Sequence, residues 1–179
     1  MTPFKKIAVV GPPGCGKSTL ARALSERLDL PRIEIDVLAL AENGTEVADN
    51  ELRHRIELAM KGADVGWIVD GYYVRKLGDF VFRCADTVVW LDPSLAVCVL
   101  RVLRRSAGVV LRRKETFRRT FLGRESPLVW QLKNHGRRRR EIPTLVERSP
   151  HLALVHLRSA RDASRWLASL DHDPGSGAN

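Results

Sequence analysis

GPPGCGKS, residues Gly11 to Ser18, stands between an apolar run, Phe4 to Val10 (FKKIAVV), and a segment with leucines at 20, 24 and 28. It matches the pattern G-x-x-x-x-G-K-[ST], and a strand before it with a helix after it is the context that gives the pattern meaning. Glycines let the backbone turn successive N–H groups inward, and the start of the following helix adds its own unpaired donors, so the loop forms an anion-binding nest. Gly11, Pro12, Pro13, Gly14, Cys15, Gly16, Lys17, Ser18 and Thr19 are therefore candidate contacts for the phosphates of ATP or a close relative. Lys17 would reach the β- and γ-phosphates. The Ser18 hydroxyl would ligate Mg²⁺, with Thr19 as the alternative. Cys15 is either a thiol activated by the surrounding amides or simply a small side chain filling a tight position.

Outward from this loop, apolar strands alternate with helices. The spacing of Leu20, Leu24 and Leu28 predicts a helix over Lys17 to Leu28 that Pro31 stops. Short strands are expected at Arg32 to Ile35, Trp67 to Val69, Thr87 to Leu91 and Leu152 to Leu157. A helix is expected from about Asn50 to Lys61, closed by Gly62, with Leu52, Ile56, Ala59 and Met60 inward. Asp92 and Pro93 read as the N-cap and first residue of a helix ending near Arg105. An arginine-rich helix is expected from about Leu128 to Arg148, kinked or interrupted at Pro143. Ser159 reads as the cap of a last helix carrying Trp166, Leu167 and Leu170. Continuously apolar strands between helices imply an α/β fold, three layers with a parallel sheet covered on both faces. The expected organisation is one domain over residues 1–170, a lid at about 106–128, and a disordered tail at 171–179.

The chain has 179 residues and a formal net charge of +9. Fourteen Lys/Arg and only two Asp/Glu fall between Arg101 and Arg140; the remainder holds sixteen basic and nineteen acidic residues. One strongly basic insert in a mildly acidic chain implies an anionic partner, nucleotide phosphate or nucleic acid. No run of about 18 apolar residues marks a membrane span. Three cysteines without metal-ligand spacing fit a reducing, cytoplasmic setting. The five histidines form no metal-spaced cluster.

Ligands of open parallel sheets bind beyond the carboxyl ends of the strands, where Asp36 and Asp70 fall. Phosphoryl transfer needs a carboxylate near the metal and often a second group on the acceptor. Asp70 is assigned to Mg²⁺ and Asp36 to the acceptor hydroxyl; turn formation is the plainer reading of each.

GPPGCGKSTLARAL, IEID, WIVDGYY and DTVVWLDPSLAVCVLRVLRR together resemble the adenylate kinase-like branch of the P-loop kinases, and most nearly a group of small bacterial proteins labelled "topology modulation" proteins. The resemblance extends to about Leu170. It implies a five-stranded parallel sheet of order 2-3-1-4-5 and an Arg-rich lid. It places Asp70-Gly71 by the metal. It also implies that Arg101 and Arg105 open the lid, one packing on adenine and one on phosphate. Arg158 and Ser159 would border adenine, and Arg140 or a neighbour would bind the transferring phosphate. Two departures leave the acceptor open. The gap between the second and third strands is too short for an adenylate kinase monophosphate insert and carries Ile35-Asp36 in place of its Thr-Gly. The Gly-Gly-Gly that shikimate kinases carry after strand three is here Asp70-Gly71-Tyr72. No N-K-x-D guanine-reading motif is present.

Two functions follow as expectations. One is an ATP- and Mg²⁺-dependent kinase whose small hydroxyl- or phosphate-bearing acceptor sits near Asp36, Arg53 and Arg55, with Lys17, Arg105 and Arg140 stabilising charge. The other is a nucleotide-dependent nucleic-acid-binding or regulatory ATPase, with Phe117, Phe121 and Trp130 among the basic residues of the insert available to stack on bases. A solvated charged helix face is the third account of that insert.

Overall fold

The computed structural model describes residues 4–110, 136 and 139–170, with side chains at 105–110 excepted. Its elements, in chain order, are β1 (Lys6–Val10), α1 (Lys17–Leu28), β2 (Arg32–Glu34), α2 (Ile35–Leu38), α3 (Asp49–Lys61), β3 (Trp67–Asp70), α4 (Val74–Leu77), α5 (Phe80–Cys84), β4 (Thr87–Leu91), α6 (Leu95–Val110), β5 (Ala153–Leu157) and α7 (Ala160–Ser169). Residues 139–147 are also helical. Residues 111–128 of the lid expected at about 106–128, the start of the expected arginine-rich helix and the 171–179 tail lie outside the described residues.

All five strands are parallel, in the order β2-β3-β1-β4-β5. Ile7, Val9, Ile68 and Val89 point to the face covered by α1, where Leu20, Ala21 and Leu24 are buried. Ala8, Val10, Val69, Val88 and Trp90 point to the other, packing with Leu52 and Ile56 of α3, Phe82 of α5 and Ile142. A central strand with both faces covered reads as an unbroken apolar run, and β1 and β4 do. Because the strands run parallel, their carboxyl ends gather at one edge, and the loops after β1, β2 and β3 are brought together there.

Four expectations on the chain path change. Asp36 lies in the first turn of the short helix α2, directly after β2. α6 runs on to Val110, past the expected end at Arg105 and into the expected lid. The helix at 139–147 continues through Pro143 without interruption. Asp92 is not the cap of α6: Ser94 Oγ accepts from the Val97 amide at 3.5 Å, and the Asp92 carboxylate is turned to other partners.

Candidate active site

The loop after β1 takes the conformation its glycines permit. Gly14 has φ +75°, and a Cβ there would stand 2.7 Å from the Cys98 carbonyl oxygen and 2.9 Å from Val102 Cγ2 of α6. Gly16 caps α1 in the left-handed region, at φ 103°, and no side chain accepts from the first helical amides. Those donors, with the helix dipole behind them, are left for an anion. Lys17 Nζ folds back over the loop and donates to the Pro12 carbonyl at 3.1 Å.

A cavity of about 720 Å³ opens in front of the loop, lined by Gly11, Pro13, Gly14, Gly16 and Lys17 to Thr19 on one side. Asp36, Glu46, Asp49, Tyr72, Tyr73, Arg75, Lys76 and Glu141 line the other. Asp70, 6% exposed, sits at the end of β3. Burial pushes its carboxyl above the ordinary 3.8, against a hydrogen bond from Ser18 and the opposing pull of Lys17 and Arg32. Arg32 Nε stands 3.8 Å behind it. The Ser18–Asp70 pair presents hard oxygen donors beside the phosphate loop, a set that suits Mg²⁺ completed by phosphate and water.

Asp36 is exposed to the same cavity, and the Tyr73 hydroxyl donates to its Oδ1 at 2.7 Å. Burial, with Asp36 second, holds the Tyr73 phenol well above its usual range, so this proton stays on tyrosine. The bond fixes one carboxylate oxygen and leaves the other for a ligand. The Tyr72 hydroxyl donates to Glu141 Oε2 at 2.9 Å, tying the loop after β3 to the helical residues 139–147. Lys76 Nζ pairs with Glu46 at 2.7 Å and stands 3.9 Å from Asp49.

Arg53 and Arg55 do not reach this site. Arg53 lies over the Phe80 ring at 4.6 Å and donates to Glu57 at 3.0 Å. Arg55 donates to Glu51 at 2.7 Å and to the Leu40 carbonyl at 3.0 Å. Both carboxylates lie four residues from their arginine, a spacing that pairs them on a helix surface and is visible in the sequence.

A second cavity, about 320 Å³, is lined by Cys15, Gly16, Thr19, Leu20, Pro93, Arg101 and residues of α7. Arg101 Nη1 donates to the Cys15 carbonyl at 3.0 Å, binding α6 to the loop. Ser159 lines this cavity and caps α7 by accepting from the Asp162 amide at 3.1 Å. The Arg158 side chain is exposed and outside the lining; its amide donates to Asp162. The side chain of Arg105 lies outside the described residues. Arg140 is exposed, and its neighbour Arg139 makes the structural contact, donating to Asp92 Oδ1 at 2.7 Å. Asp92 also faces His156 Nε2 at 3.3 Å, and that ring stacks on Trp90 at 4.0 Å. Cys15 and Cys98 are buried, and burial raises the Cys98 thiol to about 11, so at neutral pH it is an unreactive thiol. Cys15 fills a small space beside Gly11.

Comparison with known proteins agrees with this geometry. The family described as "ATPase family associated with various cellular activities (AAA)" matches residues 7–72, from β1 to the loop after β3. An adenylate kinase from Xanthomonas oryzae pv. oryzae is 30% identical over 128 residues, 56% of this chain and 68% of that protein. Among solved structures, a shikimate kinase from Acinetobacter baumannii in complex with shikimate superposes over 98% of this chain and 97% of its own, with a TM-score of 0.55 and 15% identity. An unliganded sugar kinase from Janibacter sp. HTCC2649 covers 99% of this chain and 100% of its own, with a TM-score of 0.55 and 21% identity. No helix among the described residues is long and apolar enough to cross a membrane.

Proposed function

Since this chain belongs to the adenylate kinase-like P-loop NTPases and is a P-loop kinase, we propose that it transfers the γ-phosphoryl group of ATP to a hydroxyl of a small acceptor held in the larger cavity. One observation carries the reading. Lys17 and the free amides of α1 share a cavity with Asp36, whose Oδ1 is held by Tyr73. The arrangement supplies a phosphate cradle and an oriented base across one space. The second cavity, walled by Leu20, Pro93, Arg101 and Leu157, has the apolar and cationic lining that suits an adenine ring.

In the reaction, the acceptor hydroxyl gives its proton to the free oxygen of Asp36 as its own oxygen attacks the γ-phosphorus. The bond from that phosphorus to the β–γ bridging oxygen breaks, and ADP leaves with the electron pair. Lys17 and the loop amides stabilise the charge on the phosphate oxygens, a stabilisation worth most in a site that excludes water. Ser18 and Asp70 would hold Mg²⁺, which supplies neutralisation of the β- and γ-phosphates when bound. Arg101, Arg105 and Arg140 are proposed to serve the nucleotide side, and the three cysteines, without metal-ligand spacing, to fit a reducing, cytoplasmic setting.

The test is ADP release from Mg·ATP, alone and with pools of nucleosides, nucleotides and hydroxylated metabolites, with Lys17→Ala as control. Stimulation by one pool, removed by Lys17→Ala, supports a kinase. Turnover retained by Lys17→Ala would reject the assignment.

A further inference from the structure

Asp36 is carried by an element too short to hold itself. α2 spans Ile35–Leu38, and the turn is closed by the Ala39 amide on the Ile35 carbonyl at 2.9 Å and the Leu40 amide on the Val37 carbonyl at 3.3 Å. One turn has no stability of its own in water, because fixing the first turn of a helix costs more entropy than its hydrogen bond offsets. Val37, next to Asp36, is 63% exposed, so packing holds the turn through Ile35 and not through its neighbour. A reacting group must be aimed well: a misplacement of about 1 Å can lower a rate about 10²-fold.

Three contacts from outside the turn supply the rigidity. Ile35 is fully buried and sits directly against Gly71 after β3, where a Cβ would stand 3.1 Å from Ile35 Cβ. From the same loop the Tyr73 hydroxyl grips Asp36 Oδ1 at 2.7 Å. Arg55, on α3, holds the far end: its Nη1 donates to the Leu40 carbonyl at 3.0 Å and to that of Leu38 at 3.4 Å. Carbonyls at the carboxyl end of a helix have no partner within it, and Arg55 takes that place. Its Nε donates at the same time to Glu51 at 2.7 Å, which fixes the plane of the guanidinium, a rigid fork able to serve two partners. Arg55 is outside the cavity lining, but it holds the backbone that aims Asp36 into the cavity.

Resting on the kinase reading above, we propose that Arg55 and Tyr73 are positioning residues for Asp36: Arg55 fixes the backbone of α2, and Tyr73 fixes the carboxylate that α2 carries. The experiment measures ADP release from Mg·ATP with whichever pool of nucleosides, nucleotides or hydroxylated metabolites stimulates the wild-type chain most. The variants are Arg55→Met, Tyr73→Phe and Asp36→Asn, with each of the first two also combined with the third. Arg55→Met keeps the aliphatic stem and Tyr73→Phe keeps the ring. Each should lower turnover about tenfold or more, at unchanged KM for ATP and an unchanged rise in melting temperature with Mg·ATP. In the Asp36→Asn background each should lower turnover by less than about twofold, because both act through the group already disabled. A merely structural role would repeat its loss there. A second readout needs no acceptor: amide exchange over residues 35–40 of the unliganded chain should be about tenfold faster in Arg55→Met than in wild type. Full activity in either variant, a weakened response to Mg·ATP, losses that repeat in the Asp36→Asn background, or unchanged exchange in Arg55→Met would each overturn the proposal while leaving the kinase reading in place. A wild-type chain stimulated by no pool counts against both.

Discussion

At the residue scale, two side chains carry opposite relations between stability and function. Lys17 donates to the Pro12 carbonyl and stands within electrostatic reach of Asp70. Its replacement by Ala should leave the fold intact by circular dichroism while lowering phosphoryl transfer by about 10²–10³-fold, the usual cost of one preorganised charge-stabilising donor. Asp70 is strained in the other sense. Burial raises its carboxyl above the ordinary 3.8, so the ionised form is less favoured in the folded chain than in the unfolded one. Its contribution to stability is then greatest in acid, where both states are protonated, and declines as pH rises through the folded value. Asp70→Asn removes that penalty while keeping the shape and a polar group toward Ser18. At pH 7 the variant should melt higher than wild type, by about 1–3 °C for a chain of this size. It should also bind Mg·ATP more weakly. The gap in melting temperature should close as pH falls toward 4. A lower melting temperature at pH 7 would remove the argument. The tyrosine and aspartate of the acceptor side differ from these two in legibility. Asp36 stood out at a strand end, but its partner Tyr73 is 37 residues away, and nothing local in the sequence pairs them.

At the element scale, legibility follows length and period. α1 occupies Lys17–Leu28 and β4 Thr87–Leu91, as the apolar spacing predicts, because each buries a face whose repeat is long enough to see. The helices α2, α4 and α5 have four or five residues, about one turn, and a single turn has no period to read. Arg53 and Arg55 were assigned to the acceptor although each has a glutamate at helical spacing; the local pair explained them better than the distant ligand. Asp92 shows the limit of capping rules. Position after a strand and before Pro93 fits an N-cap, yet the buried carboxylate is the meeting point of Arg139 and His156, which arrive from 47 and 64 residues away. That node ties the ends of β4 and β5 to the helical residues 139–147. Arg139 is half exposed and recovers water when released, so the loss is discounted for solvent screening. Asp92→Ala should cost about 1–2 kcal/mol, read as a lower urea midpoint at unchanged slope. Asp92→Asn, which keeps hydrogen-bonding capacity without the charge, should cost less. Equal stability of both variants and wild type would show that the node contributes nothing.

At the scale of the whole molecule, the charge is divided. The strongly basic stretch falls within Arg101 to Arg140, while the rest of the chain is mildly acidic, so the field that would attract a triphosphate is concentrated in one segment. Much of that stretch lies outside the described residues, and the nucleic-acid reading therefore rests on composition alone; steep loss of binding with rising salt is its signature. The nucleotide reading has a test that involves the entire fold and needs no knowledge of the acceptor. β1, β4, α1, α6 and α7 all contribute to the phosphate loop or to the second cavity, so ATP bound there is bound by the native chain and not by the unfolded one. A ligand at a hundred times its Kd then adds about 2.7 kcal/mol to the unfolding free energy. For a chain of this size that corresponds to a rise of about 5–10 °C in melting temperature. Saturating Mg·ATP should produce such a rise. Chelation of the metal should shrink it if Ser18 and Asp70 hold Mg²⁺ beside the phosphates, as proposed. Lys17→Ala should shrink it further without moving the melting temperature of the unliganded chain by more than about 1 °C, because a single part-buried side-chain-to-carbonyl contact contributes little. Adenosine alone should give a small rise through the second cavity. If instead Lys17→Ala and wild type respond equally to Mg·ATP, the loop is not where the nucleotide binds. The phosphate cradle read from GPPGCGKS would then be a glycine turn and no more.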